Sequence, residues 1–102
     1  MWFVAVLLYR SSSDAPDYSP LYEETFLLLE AGSADEAEKK ARAYARGGQV
    51  AYENEFSETI SWELVRVVDV RAALYPPADE SELYARFFKD YAAYESWTSS
   101  AD

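Results

Sequence analysis

The sequence predicts a two-layer α+β domain: a four-stranded, mostly antiparallel sheet with two helices, in the order β-β-α-β-β-α. Three observations lead there. Runs of β-branched, aromatic and leucine residues alternate with Ser/Asp/Pro and Gly-Gly punctuation. A capping box opens an alanine-striped segment at Ser33, and Pro76-Pro77 closes the sheet region ahead of an aromatic segment with helical period. The chain reads as a single domain over 1–102, with the sheet and first helix in 1–75 and a C-terminal aromatic helix in 79–97. At 11.6 kDa it exposes about 5,800 Å² when compactly folded against about 17,000 Å² unfolded, enough burial for a core without disulfide or metal.

Trp2 to Tyr9 (WFVAVLLY) is apolar on both alternating faces, the pattern of a strand covered on two sides or lying mid-sheet. Ser11 to Pro20 (SSSDAPDYSP) gathers serines, aspartates and two prolines and reads as a loop. In Leu21 to Glu30 (LYEETFLLLE), Tyr22, Glu24, Phe26 and Leu28 share one face of a second strand, and Glu23, Thr25, Leu27 and Leu29 the other. Ser33 and Glu36 then have the spacing in which a hydroxyl and a carboxylate cap a helix reciprocally. Ala34, Ala37, Ala41 and Tyr44 form its stripe, small enough for close approach to a sheet, and Gly47-Gly48 offers the positive φ that ends such a helix. Asp35, Glu36 and Glu38 precede Lys39, Lys40, Arg42 and Arg46, the order that complements the helix dipole. Four of the nine bases are thereby explained without a ligand.

Gln49 to Asn54 (QVAYEN), carrying Val50 and Tyr52, predicts a short strand that turns through acidic Glu55 to Thr59 into a long strand, Ile60 to Leu74. On that strand Trp62, Leu64, Val68, Val70 and Leu74 fall on one face together with Arg66. The arginine either pairs with a carboxylate or sits where a bulge turns it outward. Asp79 and Glu82 repeat the capping spacing before Leu83, Phe87, Tyr91 and Tyr94 at helical intervals, with Tyr84, Phe88 and Trp97 alongside.

The runs W-F-V-A-V-L-L-Y at Trp2 to Tyr9, P-L-Y-E-E at Pro20 to Glu24, A-x-S-x-x-E-A at Ala31 to Ala37 and W-E-L-V-R-V-V-D-V at Trp62 to Val70 occur in the order and spacing of a known family. Over residues 2–72 the chain resembles the domain-of-unknown-function family four-two-eight-eight. The resemblance implies a small bacterial domain and carries no reaction or catalytic residues.

Chemistry is narrowed by what the sequence lacks. With no cysteine there is no disulfide, thiolate nucleophile or sulfur-ligated metal, and with no histidine the ordinary serine and cysteine hydrolase mechanisms are removed. No phosphate-binding glycine motif is present, and no cofactor is expected. Met1 to Leu8 lacks a basic leader, and Tyr9 and Arg10 end the apolar run too early for a membrane span, so a cytoplasmic protein without membrane contact is expected. Carboxylates remain. Glu23 and Glu24 point to opposite strand faces, whereas Glu53 and Glu55 with Asp69 or Glu24 form a conceivable Mg²⁺ or Ca²⁺ cluster, but solvated acidic surface is the preferred reading and no metal site is assigned.

The charge layout is more informative. The net charge is -10; eight acids and no base lie between Arg10 and Lys39, and four more acids without a base lie between Arg46 and Arg66. Such a field repels nucleic acid and attracts a basic protein. The function expected is therefore non-enzymatic: an acidic interaction protein binding a basic partner, such as an immunity or inhibitor protein for a bacterial toxin. Tyr22, Glu23, Tyr52, Glu53, Glu55 and Glu58 are the expected partner-binding residues. A small carboxylate-dependent metalloenzyme and an oligomeric ligand-binding domain are the alternatives. Tyr84, Phe88, Tyr91 and Trp97 offer a surface for a homodimer.

Overall fold

The computed structural model describes residues 1–49, 51–73 and 75–99. Its elements are β1 (Trp2–Ser13), β2 (Tyr22–Glu30), α1 (Ala34–Gly47), β3 (Ala51–Glu53), β4 (Thr59–Ala72) and α2 (Tyr91–Ser99), an α+β fold in the expected order. All strand pairings are antiparallel, and the sheet runs β2-β1-β4-β3. β1 is thus an inner strand. Phe3 through Leu7 are buried, which is why its sequence is apolar on both faces. The connection from β2 to β3 leads from one sheet edge to the other and carries α1 across a single face.

The α1 packing depends on alanine. Ala37, Ala41 and Ala45 are fully buried against Phe3, Ala5, Leu7 and Tyr9 of β1, with Leu27, Leu29, Trp62, Leu64, Val67 and Val70 around them. The expected stripe is shifted, because Ala34 and Tyr44 lie at its margin and are exposed while Ala45 is buried. Ser33 caps the helix by accepting from the Glu36 N–H (3.1 Å), but Glu36 returns its bond to Gly32 (3.0 Å) rather than to the cap residue itself. The helix also ends without a positive φ: Gly48 closes it at φ -97° by donating to the Tyr44 carbonyl.

Other expectations are corrected by tertiary contacts. β1 continues through Ser13 into what reads locally as loop, because Ser11 to Ser13 pair with Trp62 to Ile60. Buried Ser11 is satisfied there: its hydroxyl accepts from the Leu21 N–H (2.8 Å) and the Tyr18 hydroxyl (2.6 Å) and faces the Leu21 carbonyl. On β4, register shifts opposite Val6/Leu7 and Leu8/Tyr9 each add a residue, so Trp62, Leu64, Val67 and Val70 face α1 while Val68 leaves that face. The bulge alternative for Arg66 is the one realised, since it pairs with Leu8 in register and is exposed. Val50 and Leu74, assigned to strand faces above, lie outside the described residues.

The largest difference is in the C-terminal segment. Helix forms over Tyr91–Ser99 instead of from residue 79, and residues 75–90 run as a non-helical arm. Alternate arm residues reach the sheet face opposite α1: Tyr84 donates to Asp69 (2.8 Å) and meets the Phe26 ring at 5.7 Å, while Arg86 pairs with Glu24 (3.4 Å). Residues two apart point to opposite sides of a helix, so this docking excludes helix there. The cap falls to Asp90, whose carboxylate accepts from the Ala93 N–H (3.1 Å).

Two outcomes follow. Ser11→Ala strands the Leu21 N–H and the Tyr18 hydroxyl and should cost about 1–3 kcal/mol in denaturant unfolding. The hydrogen bond from Tyr84, and then Arg71, hold the Asp69 carboxyl below its ordinary 3.8, whereas burial and then Asp69 raise the Tyr84 hydroxyl above its ordinary 10.0. The first contribution is present above pH 3.8 and lost as pH falls through the lowered value; the second is present below pH 10.0 and lost as pH rises through the raised one. Protection of the arm amides, measured against the intrinsic exchange rate at each pH, should therefore be weakest at both extremes, and Tyr84→Phe should remove the alkaline dependence and weaken the acid one, because Arg71 still holds the Asp69 carboxylate.

Candidate functional site

The six expected partner-binding residues separate onto three surfaces. Tyr22 lies on the sheet face opposite α1, in a cleft of about 790 Å³ beneath the arm. Leu8, Glu24 and Phe26 form its floor, and Tyr84, Phe87, Phe88, Tyr94 and Trp97 its other wall. The expected dimer residues are found in and around this cleft rather than on one helical stripe. Tyr84 is half-buried on the sheet, Phe88 stacks on Tyr94 at 4.6 Å, Tyr91 is exposed and Trp97 lines the wall.

Glu23 and Tyr52 are brought together on the α1 face. Two lengths dictate how. A helix of 14 residues extends about 21 Å, whereas strands of 12 and 14 residues extend about 40 Å or more, so α1 leaves one end of its own face bare. A groove of about 390 Å³ lies there, lined by Tyr9, Glu23, Thr25, Tyr44, Gly48, Tyr52 and Trp62, which come from all four strands and the end of α1. Thr25 donates to the Glu23 carboxylate (3.1 Å) and orients it. Burial, reinforced by Tyr44 and Glu23, raises the pKa of the Tyr9 hydroxyl, which stays neutral at physiological pH.

Glu53, Glu55 and Glu58 surround the β3–β4 turn, and Asn54 organises it. The Asn54 amide oxygen accepts from the Phe56 (2.9 Å) and Glu58 (3.0 Å) N–H groups, and its nitrogen donates to the Glu58 carboxylate (2.9 Å). Ser57 takes the left-handed conformation this turn requires (φ 61°). Glu58 is thereby a brace of the turn, while Glu53 and Glu55 are exposed. Between them and Ser57 stands Phe56, 73% exposed, which sequence reasoning passed over. Its signal was present as a lone aromatic inside the acidic run Glu53 to Glu58.

The carboxylates considered for a metal do not converge. Glu24 faces Arg86, Asp69 is engaged by Tyr84 and Arg71, and among the described residues no three acidic side chains are placed to hold an ion. Nor is any described helix long and apolar enough to cross a membrane.

Residues 2–85 match the family described as domain of unknown function (DUF4288). The chain belongs to this family. The matched span takes in both hairpins, α1 and the arm as far as Tyr84 and its clasp on Asp69, so it reaches beyond the segment over which the sequence motifs resemble the family. No curated protein and no solved structure gives a significant match.

Replacing Asn54 with alanine should cost about 1–3 kcal/mol in chemical unfolding, because three hydrogen bonds of one turn depend on it.

Proposed function

We propose that the chain is a non-enzymatic, acidic interaction protein whose partner is a basic protein, an immunity or inhibitor protein acting on a bacterial toxin being the most concrete case. The observation that carries this reading is the β3–β4 turn: a braced projection that presents one exposed aromatic ring, Phe56, beside the exposed carboxylates of Glu53 and Glu55. Carboxylates at the rim steer a basic surface toward it, and an aromatic residue held by a rigid turn fills a cavity at little entropic cost. The background field supports the same reading. Acids outnumber bases 19 to 9, and the ion pairs among the described residues engage Glu24, Glu38 and Asp69, leaving the exposed carboxylates of Glu53 and Glu55 to act outward.

A second reading, an oligomeric ligand-binding domain, draws on the cleft beneath the arm. The chain exposes 7720 Å², against about 5,800 Å² for a compact protein of its mass, and Phe87 and Phe88 are exposed at that cleft. Light scattering separates the two, since this reading requires a dimer or larger.

A tagged chain used to isolate its partner from the native host should retain a basic protein whose association rate falls steeply with salt. Glu53→Lys with Glu55→Lys should slow association about tenfold or more at low salt, and Phe56→Ala should chiefly speed dissociation. Glu58 is left unchanged because it braces the turn. A partner indifferent to salt and to all three substitutions would overturn the reading.

A further inference from the structure

The bare end of the α1 face has a consistent electrostatic character. Aromatic rings carry negative potential on their faces, and Tyr44, Tyr52 and Trp62 line the groove from three different elements. The oriented carboxylate of Glu23 lies among them. Gly48, the C-cap of α1, completes the wall, so the negative end of the helix dipole is directed at the same space. None of the lining residues is basic; Arg46, in the last helical turn, is exposed and lies outside the lining. Aromatic side chains, a carboxylate and a helix C-terminus thus border one concavity.

We infer that this groove, from Tyr9 and Glu23 across to Trp62 and Tyr52, is a binding site for an organic cation, specifically the guanidinium or ammonium head of an arginine or lysine side chain. Flat aromatic walls stack on such a head, and a single carboxylate at the end neutralises it. Arginine is favoured, because a planar guanidinium both stacks on the rings and donates to a carboxylate. The site deepens the proposal of a basic protein partner and rests on it, naming the side chain that the partner inserts. It is separate from the turn that carries Phe56, so the two surfaces can be tested apart.

The test is a titration of the full chain with capped Gly-Arg-Gly, its lysine counterpart and its citrulline counterpart, which keeps the shape of arginine without the charge. Aromatic NMR signals are followed at low salt. The arginine and lysine peptides should shift the Tyr44, Tyr52 and Trp62 rings saturably, arginine more tightly, with citrulline at least about tenfold weaker. Glu23→Gln should weaken arginine binding about fivefold or more, and Tyr44→Leu and Tyr52→Leu about threefold each, with the amide spectrum confirming that each variant is folded. Both tyrosines are half-exposed, so either substitution leaves the core intact. Equal responses to arginine and citrulline, or arginine shifts that survive all three substitutions, would overturn the site. A host partner that binds through the Phe56 turn while the peptides leave the groove unmoved removes the site alone. Peptide binding with no basic partner in the host removes the partner proposal alone.

Discussion

A lone helix covers only one face of a sheet, and in this chain it covers only part of that face. α1 reaches the sheet through alanines, Ala37, Ala41 and Ala45, so the backbones approach closely and the core is thin. Close approach concentrates burial on β1 and leaves the ends of β1 and β4, and the whole opposite face, to be closed by other means. The uncovered end of the α1 face becomes the aromatic groove, and the opposite face receives the arm. Both concave surfaces, the groove and the cleft, are consequences of that incomplete cover.

The arm is held by polar contacts rather than by a continuous apolar seam. Asp69 accepts from Tyr84 and Arg71, Arg86 meets Glu24, and the Tyr84 ring meets the Phe26 ring at 5.7 Å and the Arg71 guanidinium at 5.8 Å. Exposed ion pairs of this kind contribute little each, so the clasp at Asp69 outweighs its neighbours in setting where the arm lies. Beyond Arg86 the chain departs from the sheet, and α2 borders the cleft without closing it. The radius of gyration, 16.4 Å against about 13 Å for a compact chain of this length, reflects that departure.

Where local patterning decided the structure, the sequence was legible. β1 as the inner strand, the two faces of β2, the Ser33 cap and the hairpin are all carried by residues close together in the chain. Tertiary contacts decided the rest. Ser11 to Ser13 look like loop until β4 supplies hydrogen-bond partners, and Arg66 looks buried until two bulges change the phase of the strand. Residues 79–90 have the apolar spacing of a helix, but Asp69 and Glu24, far away in sequence, take hold of Tyr84 and Arg86 in an order that only an extended arm can satisfy. The candidate site shows the same division. Carboxylates and tyrosines in β2, β3 and the turn were legible as a composition suited to a basic partner, and strand alternation already parts Tyr22 from Glu23, whereas the groove that gathers Glu23 of β2 with Tyr52 of β3 depends on the sheet order and on where α1 ends.

Those edges also bear on how the acidity is to be understood. An edge strand offers unpaired backbone groups to other chains, and charged side chains along it discourage such pairing, so Glu23 and Glu30 on β2 and Glu53 on β3 have a protective role that needs no partner. Protection alone, however, would favour polar neighbours. Instead the exposed rings of Tyr52 and Phe56 stand beside carboxylates on or next to these edges, where each ring adds apolar surface that a purely solvating margin would avoid. Charge that repels like copies and attracts a basic surface, combined with rings that gain by burial once contact is made, serves both requirements with the same residues. On the proposed reading, one electrostatic field both suppresses self-association at the edges and promotes capture of a basic partner.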